Sequence, residues 1–312
     1  MSSSAAPDQG RSIFVATQDG LRIHLREFGV STTSGLPVLC LPGLTRTVAD
    51  FESLAPALAS TRRVIAIDSR GRGQSDYDQN PENYNLAVEL ADIVSVLGAL
   101  AIGPALFIGS SRGGILTMLL AAAHPVAVAG AVLHDIGPVI EPVGLARIKG
   151  YVGKLPRPGS FAEGADILRR QFQIQFPKFT DEQWLAAARR AWKVEHGVLA
   201  PTYDVRIAQS FAKAEHEHPA PTLWKEFDAL AHVPVLVIRG ANSDILSVTT
   251  VATMRARHPG LELIEVADQG HVPLLEGAEV VSYIGRFVER CEQHHTDHQH
   301  EQSASAKISF RL

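Results

Sequence analysis

The segment from Ala105 to Ala123 constrains the fold more than any other part of this chain. Ala105–Ile108 has the apolar pattern of a buried strand, and Ile115–Ala123 is an apolar run long enough for a buried helix. The turn between them, Gly109–Gly114, matches Gly-x-Ser-x-Gly with Ser111 at its centre. Such a turn strains the central residue, and glycines on either side let strand and helix approach each other. The pattern therefore predicts a serine hydroxyl at a helix N-terminus, where backbone N–H groups face a developing negative charge.

The five-residue pattern is weak by itself. It arises by chance in roughly one chain in ten of this length, and a glycine-rich turn that serves only packing explains it equally well. Its position at a strand-to-helix junction strengthens it, as does a candidate acid and base later in the chain, in the order that a serine nucleophile on such a turn requires.

The remainder of the chain alternates short apolar strands with amphipathic helices. One helix is indicated by Leu86, Leu90, Ile93, Leu97 and Leu100, whose spacing marks a single buried face. Strands are expected at residues 12–16, 21–28, 38–41, 63–67, 105–108, 130–133, 235–238 and 261–266. This alternation predicts an α/β fold with a mostly parallel sheet flanked by helices.

Residues 136–228 interrupt this rhythm and are expected to form a helical cap. They contain all three tryptophans and six of the twelve phenylalanines. The core is expected to comprise residues 11–135 and 229–292, and residues 1–10 and 293–312 are expected to be disordered. The four histidines of the last segment are compatible with metal binding, but a polar terminus is better explained as solvated chain.

Composition excludes several classes of protein. With 46% hydrophobic residues the 312-residue chain can bury a large core. A net charge of −4 gives no support for nucleic-acid binding, and apolar runs of about ten residues are too short to span a membrane. The N-terminus lacks the features of a signal peptide, and Cys40 lies in an apolar run, so we expect a buried thiol and a cytoplasmic location.

On these motifs the chain resembles the α/β-hydrolase superfamily over about residues 12–290, in its serine-nucleophile, esterase- or lactonase-like branch with a helical cap. The motifs are Pro42-Gly43-Leu44, Asp68-x-Arg70-Gly71-x-Gly73-x-Ser75, Gly109-x-Ser111-x-Gly113-Gly114, Asp244, and Gly270-His271.

The resemblance implies a catalytic triad of Ser111, His271 and Asp244. Asp135 is an alternative acid, because it also follows a predicted strand, although it lies at the entry to the cap. A serine hydroxyl needs a neighbouring imidazole to accept its proton, and a carboxylate fixes the imidazole tautomer. The resemblance also implies that the backbone N–H groups of Leu44 and Arg112 form the oxyanion hole.

Two features leave alternatives open. Many relatives have His-Gly where this chain has Pro42-Gly43, which alters the support beneath the oxyanion hole. Arg70 and Arg72 belong to a segment that is usually a structural turn, but they are also candidates for meeting a substrate carboxylate.

The aromatic rings of the cap also have two explanations. Trp184, Trp192, Phe172 and Phe176 either line an apolar pocket or hold the cap to the core.

Ser111 argues against dehalogenases and epoxide hydrolases of this superfamily, which use aspartate as the nucleophile. The sequence favours a cofactor-free and metal-free serine hydrolase of small to medium apolar esters or lactones, without nucleic-acid or membrane partners. The alternatives are a C–C bond hydrolase of a ring-cleavage diketone and a hydrolase-fold ligand-binding protein with little turnover. Oligomeric state is left open.

Overall fold

An eight-stranded sheet forms the centre of the molecule. The computed structural model describes residues 10–29, 35–209 and 221–309, with the backbone alone for 301–309. The strands are β1 (Arg11–Ala16), β2 (Arg22–Phe28), β3 (Val38–Leu41), β4 (Val64–Ile67), β5 (Ala105–Ser110), β6 (Val128–His134), β9 (Val235–Gly240) and β10 (Glu262–Val266). Their order across the sheet is β1-β2-β4-β3-β5-β6-β9-β10. Only the β1–β2 and β2–β4 pairs are antiparallel.

The central strands are buried along their whole length. Every residue of β3, β4, β5, β6 and β9 is buried, as expected of parallel strands covered by helices on both faces. Because these strands run in the same direction, the loops that follow β3, β5, β6, β9 and β10 meet at one edge of the sheet. The mostly parallel sheet expected from the sequence is confirmed.

The described helices cover the two faces of the sheet and fill the segment between β6 and β9. They are α1 (Ala55–Leu58), α2 (Leu86–Ala99), α3 (Arg112–Ala123), α4 (Pro142–Tyr151), α5 (Phe161–Phe172), α6 (Asp181–Ala191), α7 (Trp224–Asp228), α8 (Val248–Arg257) and α9 (Ala278–Ser309). None of them combines the length and apolarity needed to cross a bilayer.

The cap segment, residues 136–228, contains strands as well as helices. An antiparallel hairpin of β7 (Trp192–Glu195) and β8 (Val198–Pro201) follows α6. The sequence pattern indicated helices here, but the β-branched Val194 and Val198 flank a turn at His196-Gly197 in which both residues have positive φ. The cap has a hydrophobic cluster of its own, built around Trp184 and Trp192.

The C-terminal segment differs from the expected disorder. Helix α9 continues through residue 309, past the predicted boundary at 293. Its sequence has no glycine or proline after residue 285, and alanine, glutamine and glutamate there favour continued helix. At the other end of the chain, residues 1–9 of the expected disordered segment lie outside the described residues.

The turn after β4 is a structural one. Arg70 is buried and donates to Asp92 through Nε and Nη2 at 2.7 and 2.6 Å, and to Asp78 through Nη1 at 2.7 Å. Arg72 is also buried, and its Nη1 donates to Glu89 at 2.8 Å. Both arginines are therefore engaged inside the protein, which removes them as candidates for a substrate carboxylate. Cys40 in β3 is fully buried as expected, and burial raises the pKa of its thiol.

Candidate active site

Ser111 lies in a strained turn between β5 and α3. Its φ of 50° and ψ of −113° place it in a region that side chains rarely adopt. A β-carbon at Gly109 would approach the carbonyl carbon of Gly113 to 2.5 Å, and one at Gly113 would approach the Leu41 oxygen to 2.1 Å. Both glycines are therefore required by close backbone packing, as the sequence pattern predicted.

The side chain of Ser111 meets a histidine from the far end of the chain. Ser111 Oγ lies 2.8 Å from His271 Nε2, and His271 Nδ1 lies 2.8 Å from Asp135 Oδ2. His271 follows β10 and Asp135 follows β6, so three loops at one sheet edge bring the groups together. This order of hydroxyl, imidazole and carboxylate is the one in which an imidazole accepts a serine proton and a carboxylate holds its tautomer.

Asp135 is held by three hydrogen bonds. Besides His271, its carboxylate accepts from the Gly240 backbone N–H at 2.8 Å and from Ser243 Oγ at 2.6 Å. The residue is fully buried, and its φ of 53° aims the side chain back toward the sheet edge. Aspartate tolerates this left-handed conformation better than most residues because its short polar side chain can bond locally.

Asp244 is the one site residue that the structure places differently from expectation. Its carboxylate receives a bidentate pair from Arg147 of α4, at 2.6 Å from Nε and 2.8 Å from Nη2. Burial alone would raise the pKa of Asp244, but Arg147 outweighs burial and lowers it. The histidine contact expected of Asp244 is made by the alternative, Asp135. Sequence position could not reveal this, because Arg147 reaches Asp244 across 97 residues of chain.

Leu44 and Arg112 are the two residues that the resemblance makes oxyanion donors. Leu44 follows Gly43 in the loop after β3, and Arg112 is the first residue of α3. Within the described residues neither backbone N–H donates to another backbone carbonyl. Such free N–H groups at a helix N-terminus and an adjacent loop have the chemistry of an oxyanion hole.

A buried ion network joins these two residues. Arg72 Nε donates to the Leu44 carbonyl at 2.8 Å, and Glu89 accepts from Arg72 Nη1 at 2.8 Å and from Arg112 Nε at 2.6 Å. Burial alone would raise the pKa of Glu89, but Arg112 and Arg72 outweigh burial and lower it. Sequence reasoning missed Glu89, whose only signal is a charged residue among the buried positions of α2, where Asp92 is a second one.

A second buried histidine lies beside the serine turn. His134 Nδ1 lies 3.0 Å from Ser110 Oγ, and the residue is almost fully buried. Burial lowers the pKa of His134 to about 4, so the ring is neutral at pH 7. It therefore packs as a polar but uncharged group between β5 and β6.

A cavity of about 160 Å³ opens onto Ser111 and His271. Its wall is mostly apolar and comes largely from the cap, including all four rings singled out in the sequence: Phe172, Phe176, Trp184 and Trp192. Phe176, Trp184 and Trp192 also belong to the hydrophobic cluster of the cap. The rings thus serve both of the expected purposes, packing the cap and lining a pocket.

Comparisons with known proteins give a family match and several similar chains. A family model described as alpha/beta hydrolase fold matches residues 37–278. A 3-hydroxybutyrate-oligomer hydrolase from Cupriavidus necator is 35% identical over 243 residues, which is 76% of this chain and 82% of that protein. A 2-hydroxymuconate semialdehyde hydrolase from Pseudomonas sp. strain CF600 is 29% identical, over 91% of this chain and 95% of that one.

Among solved structures, an alpha/beta hydrolase from Novosphingobium aromaticivorans is similar with a TM-score of 0.86. It is 42% identical, and the match covers 91% of this chain and all of that one.

Proposed function

Because the chain belongs to the α/β-hydrolase-fold family, and is a hydrolase of that fold, we propose that it cleaves carboxylic esters through an acyl-enzyme on Ser111. The observation that carries the proposal is the pair of 2.8 Å contacts that link Ser111 to His271 and His271 to Asp135. His271 takes the serine proton as the hydroxyl attacks the ester carbonyl, then gives it to the leaving alcohol. Asp135 holds Nδ1 protonated, so that Nε2 faces the serine.

The backbone N–H groups of Leu44 and Arg112 bind the oxyanion of the tetrahedral intermediate in this scheme. Their support is position, one residue after Gly43 and one after the nucleophile, and the absence of a competing backbone acceptor among the described residues. Donors fixed before the reaction stabilise the developing charge without reorganising. No step in this scheme requires a cofactor or a metal ion.

The substrate class follows from the cavity and from a relative. The mostly apolar wall favours small to medium apolar acyl groups, and the cap segment acts as a lid that selects them. The relative from Cupriavidus necator is named for hydrolysis of hydroxy-acid oligomers, which are esters of this size. We therefore favour short esters over lactones as the preferred substrates.

The second candidate is hydrolysis of a C–C bond in a ring-cleavage product. It is favoured by the similarity to the semialdehyde hydrolase, which spans 91% of this chain. A ligand-binding protein without turnover is disfavoured, because a binder has no need of a serine, a histidine and a carboxylate in hydrogen-bonded series.

The test is a turnover screen with wild type and Ser111→Ala in parallel. Wild type should hydrolyse short esters faster than lactones or a ring-cleavage diketone, and Ser111→Ala should lose roughly 10⁴- to 10⁶-fold in kcat while remaining folded. A fluorophosphonate probe should label Ser111 in wild type. Labelling of Ser110, or ester turnover that survives in Ser111→Ala, would overturn the proposal, and preference for the diketone would establish the second candidate.

A further inference from the structure

Two arginines face the cavity that opens onto Ser111. Arg46 follows the loop after β3, and Arg190 lies at the end of α6 in the cap. Both contribute to the cavity wall, and no acidic side chain of the described residues does. An apolar cavity with guanidinium groups in its wall is suited to a ligand that carries an anionic group beside apolar ones.

The carboxylates that neutralise these arginines lie outside the cavity wall. The Asp50 carboxylate accepts hydrogen bonds from Arg46 Nε at 2.8 Å and from Arg46 Nη2 at 2.6 Å. Arg46 Nη1 lies outside this bidentate pair. Arg190 Nε lies 3.8 Å from the same Asp50, and its Nη1 lies 3.0 Å from the half-exposed Glu276. Asp50 thus fixes the direction of the Arg46 guanidinium, and both arginines still contribute to the cavity wall.

Arg46 is adjacent to the reacting hydroxyl. A β-carbon added to Gly43 would lie 3.3 Å from Arg46 Cγ and 3.6 Å from Ser111 Cβ, so the two side chains flank one glycine. Because Arg46 and Ser111 also line one cavity of about 160 Å³, a single small ligand can contact both side chains. An anionic group that it binds has to be separated from the scissile ester by a short chain of carbon atoms.

Building on the proposed ester hydrolysis, we propose that Arg46 is a specificity determinant that binds a free carboxylate of the substrate, with Arg190 as the second cation. The substrate class is then a short ester of a hydroxy acid whose alcohol portion ends in a carboxylate. A bidentate guanidinium–carboxylate pair fixes the carboxylate in direction as well as in position. The ester carbonyl would then face Ser111, and the apolar acyl portion would lie against the rings of the cap.

The test compares the linear dimer ester of 3-hydroxybutyrate with the methyl ester of that dimer, which lacks the negative charge, and follows cleavage of the internal ester bond alone. Wild type should prefer the acid in kcat/KM. In Arg46→Gln, kcat/KM should fall roughly 10- to 100-fold for the acid and only a few-fold for the methyl ester, because a hydrogen bond to the charged carboxylate is lost. Arg46→Lys should recover part of the preference, because it keeps the charge without the bidentate geometry.

Two control variants separate recognition from folding. Arg46→Gln with Asp50→Asn removes the carboxylate that loses its bidentate partner in the single variant, and it should show the same loss of acid preference. Arg257→Gln breaks an exposed ion pair with Asp228, far from the cavity, and should leave both rates unchanged. Equal losses on acid and methyl ester, or a wild type without preference, would overturn the proposal.

Binding measurements keep this inference distinct from the proposed catalytic function. Calorimetry of Ser111→Ala with the dimer acid and with its methyl ester measures the affinity for each compound in the absence of turnover. Tighter binding of the acid that disappears on adding Arg46→Gln supports the carboxylate site even if wild type hydrolyses neither compound. Equal binding of both compounds refutes the site even if wild type proves to be an efficient esterase.

Discussion

Asp135 and Asp244 both follow buried strands, yet their carboxylates have different partners. Asp135 is fully buried and accepts from His271, Ser243 and the Gly240 backbone. Asp244 is committed to the guanidinium of Arg147. A carboxylate can hold an imidazole tautomer only if it contacts the ring, so we assign the acid to Asp135 in the proposed mechanism.

Conversion of each aspartate to asparagine tests this assignment. Asp135→Asn should lower kcat by about 10⁴-fold, because an amide at this position stabilises the wrong tautomer of His271. Asp244→Asn should leave kcat within a few-fold of wild type and should lower the thermal midpoint, because Arg147 loses its carboxylate. Steady-state kinetics and thermal unfolding of both variants provide the measurement. A severe kinetic loss in Asp244→Asn alone would return the role to Asp244.

At the scale of elements, the loop after β3 and the N-terminus of α3 are joined through α2. Glu89 on α2 bonds Arg72 and Arg112, and Arg72 in turn bonds the Leu44 carbonyl. A rigid link of this kind would keep the two proposed oxyanion donors at a fixed separation. Asp92, also on α2, forms a second buried ion pair with Arg70 of the turn after β4, and this pair contacts neither Leu44 nor Arg112.

Glu89→Gln should therefore lower kcat more than it changes KM, because misplaced donors weaken binding of the transition state rather than of the substrate. Asp92→Asn is the matched control, since it breaks a buried ion pair of the same helix without touching Leu44 or Arg112. Both variants should lose stability, by roughly 3–5 kcal/mol for a broken buried pair. Equal kinetic losses in the two variants, measured under conditions where both are folded, would remove the positioning role.

At the scale of the whole molecule, stability in mild acid should depend on a buried neutral histidine. Burial lowers the pKa of His134 from 6.5 to about 4, so the unfolded chain takes up a proton there before the folded chain does. The contribution of this group is fully present above pH 6.5 and is lost as the pH falls toward 4. The slope is roughly 1.4 kcal/mol of unfolding free energy per pH unit for one proton.

His134→Gln should flatten that part of the stability profile, measured by denaturant unfolding between pH 7 and pH 4.5. The variant keeps a polar group beside Ser110 but has nothing to protonate. His232→Gln, at an exposed position, should leave the profile unchanged. If the two variants have the same slope as wild type, His134 is not the group that titrates.

The cap segment is joined to the core by ion pairs. Arg147 of α4 pairs with Asp244, and Arg190 of α6 lies between Asp50 and Glu276 of the core. Arg190 also contributes to the cavity wall, so its pairs with Asp50 and Glu276 connect the proposed substrate site to the contact between cap and core.

The sequence by itself determined the sheet, the serine turn and the chain order of the site. The apolar pattern that indicates each strand or helix lies within the residues of that element. Gly109, Ser111 and Gly113, which the serine turn requires, likewise lie within a few residues of one another. His271 was identifiable because it follows the last strand next to a glycine. These features depend on neighbours in the chain, so a single sequence displays them.

Only the tertiary structure decided between the two acids, found Glu89 and placed Arg46 beside Ser111. Each of these depends on side chains that are far apart in sequence, such as Asp135 and His271, separated by 136 residues. Arg147 of the cap pairs with Asp244, whereas Ser243 and the Gly240 N–H orient Asp135 toward the histidine. The free energy of a buried carboxylate is set by the partners that surround it after folding, and strand order does not specify those partners.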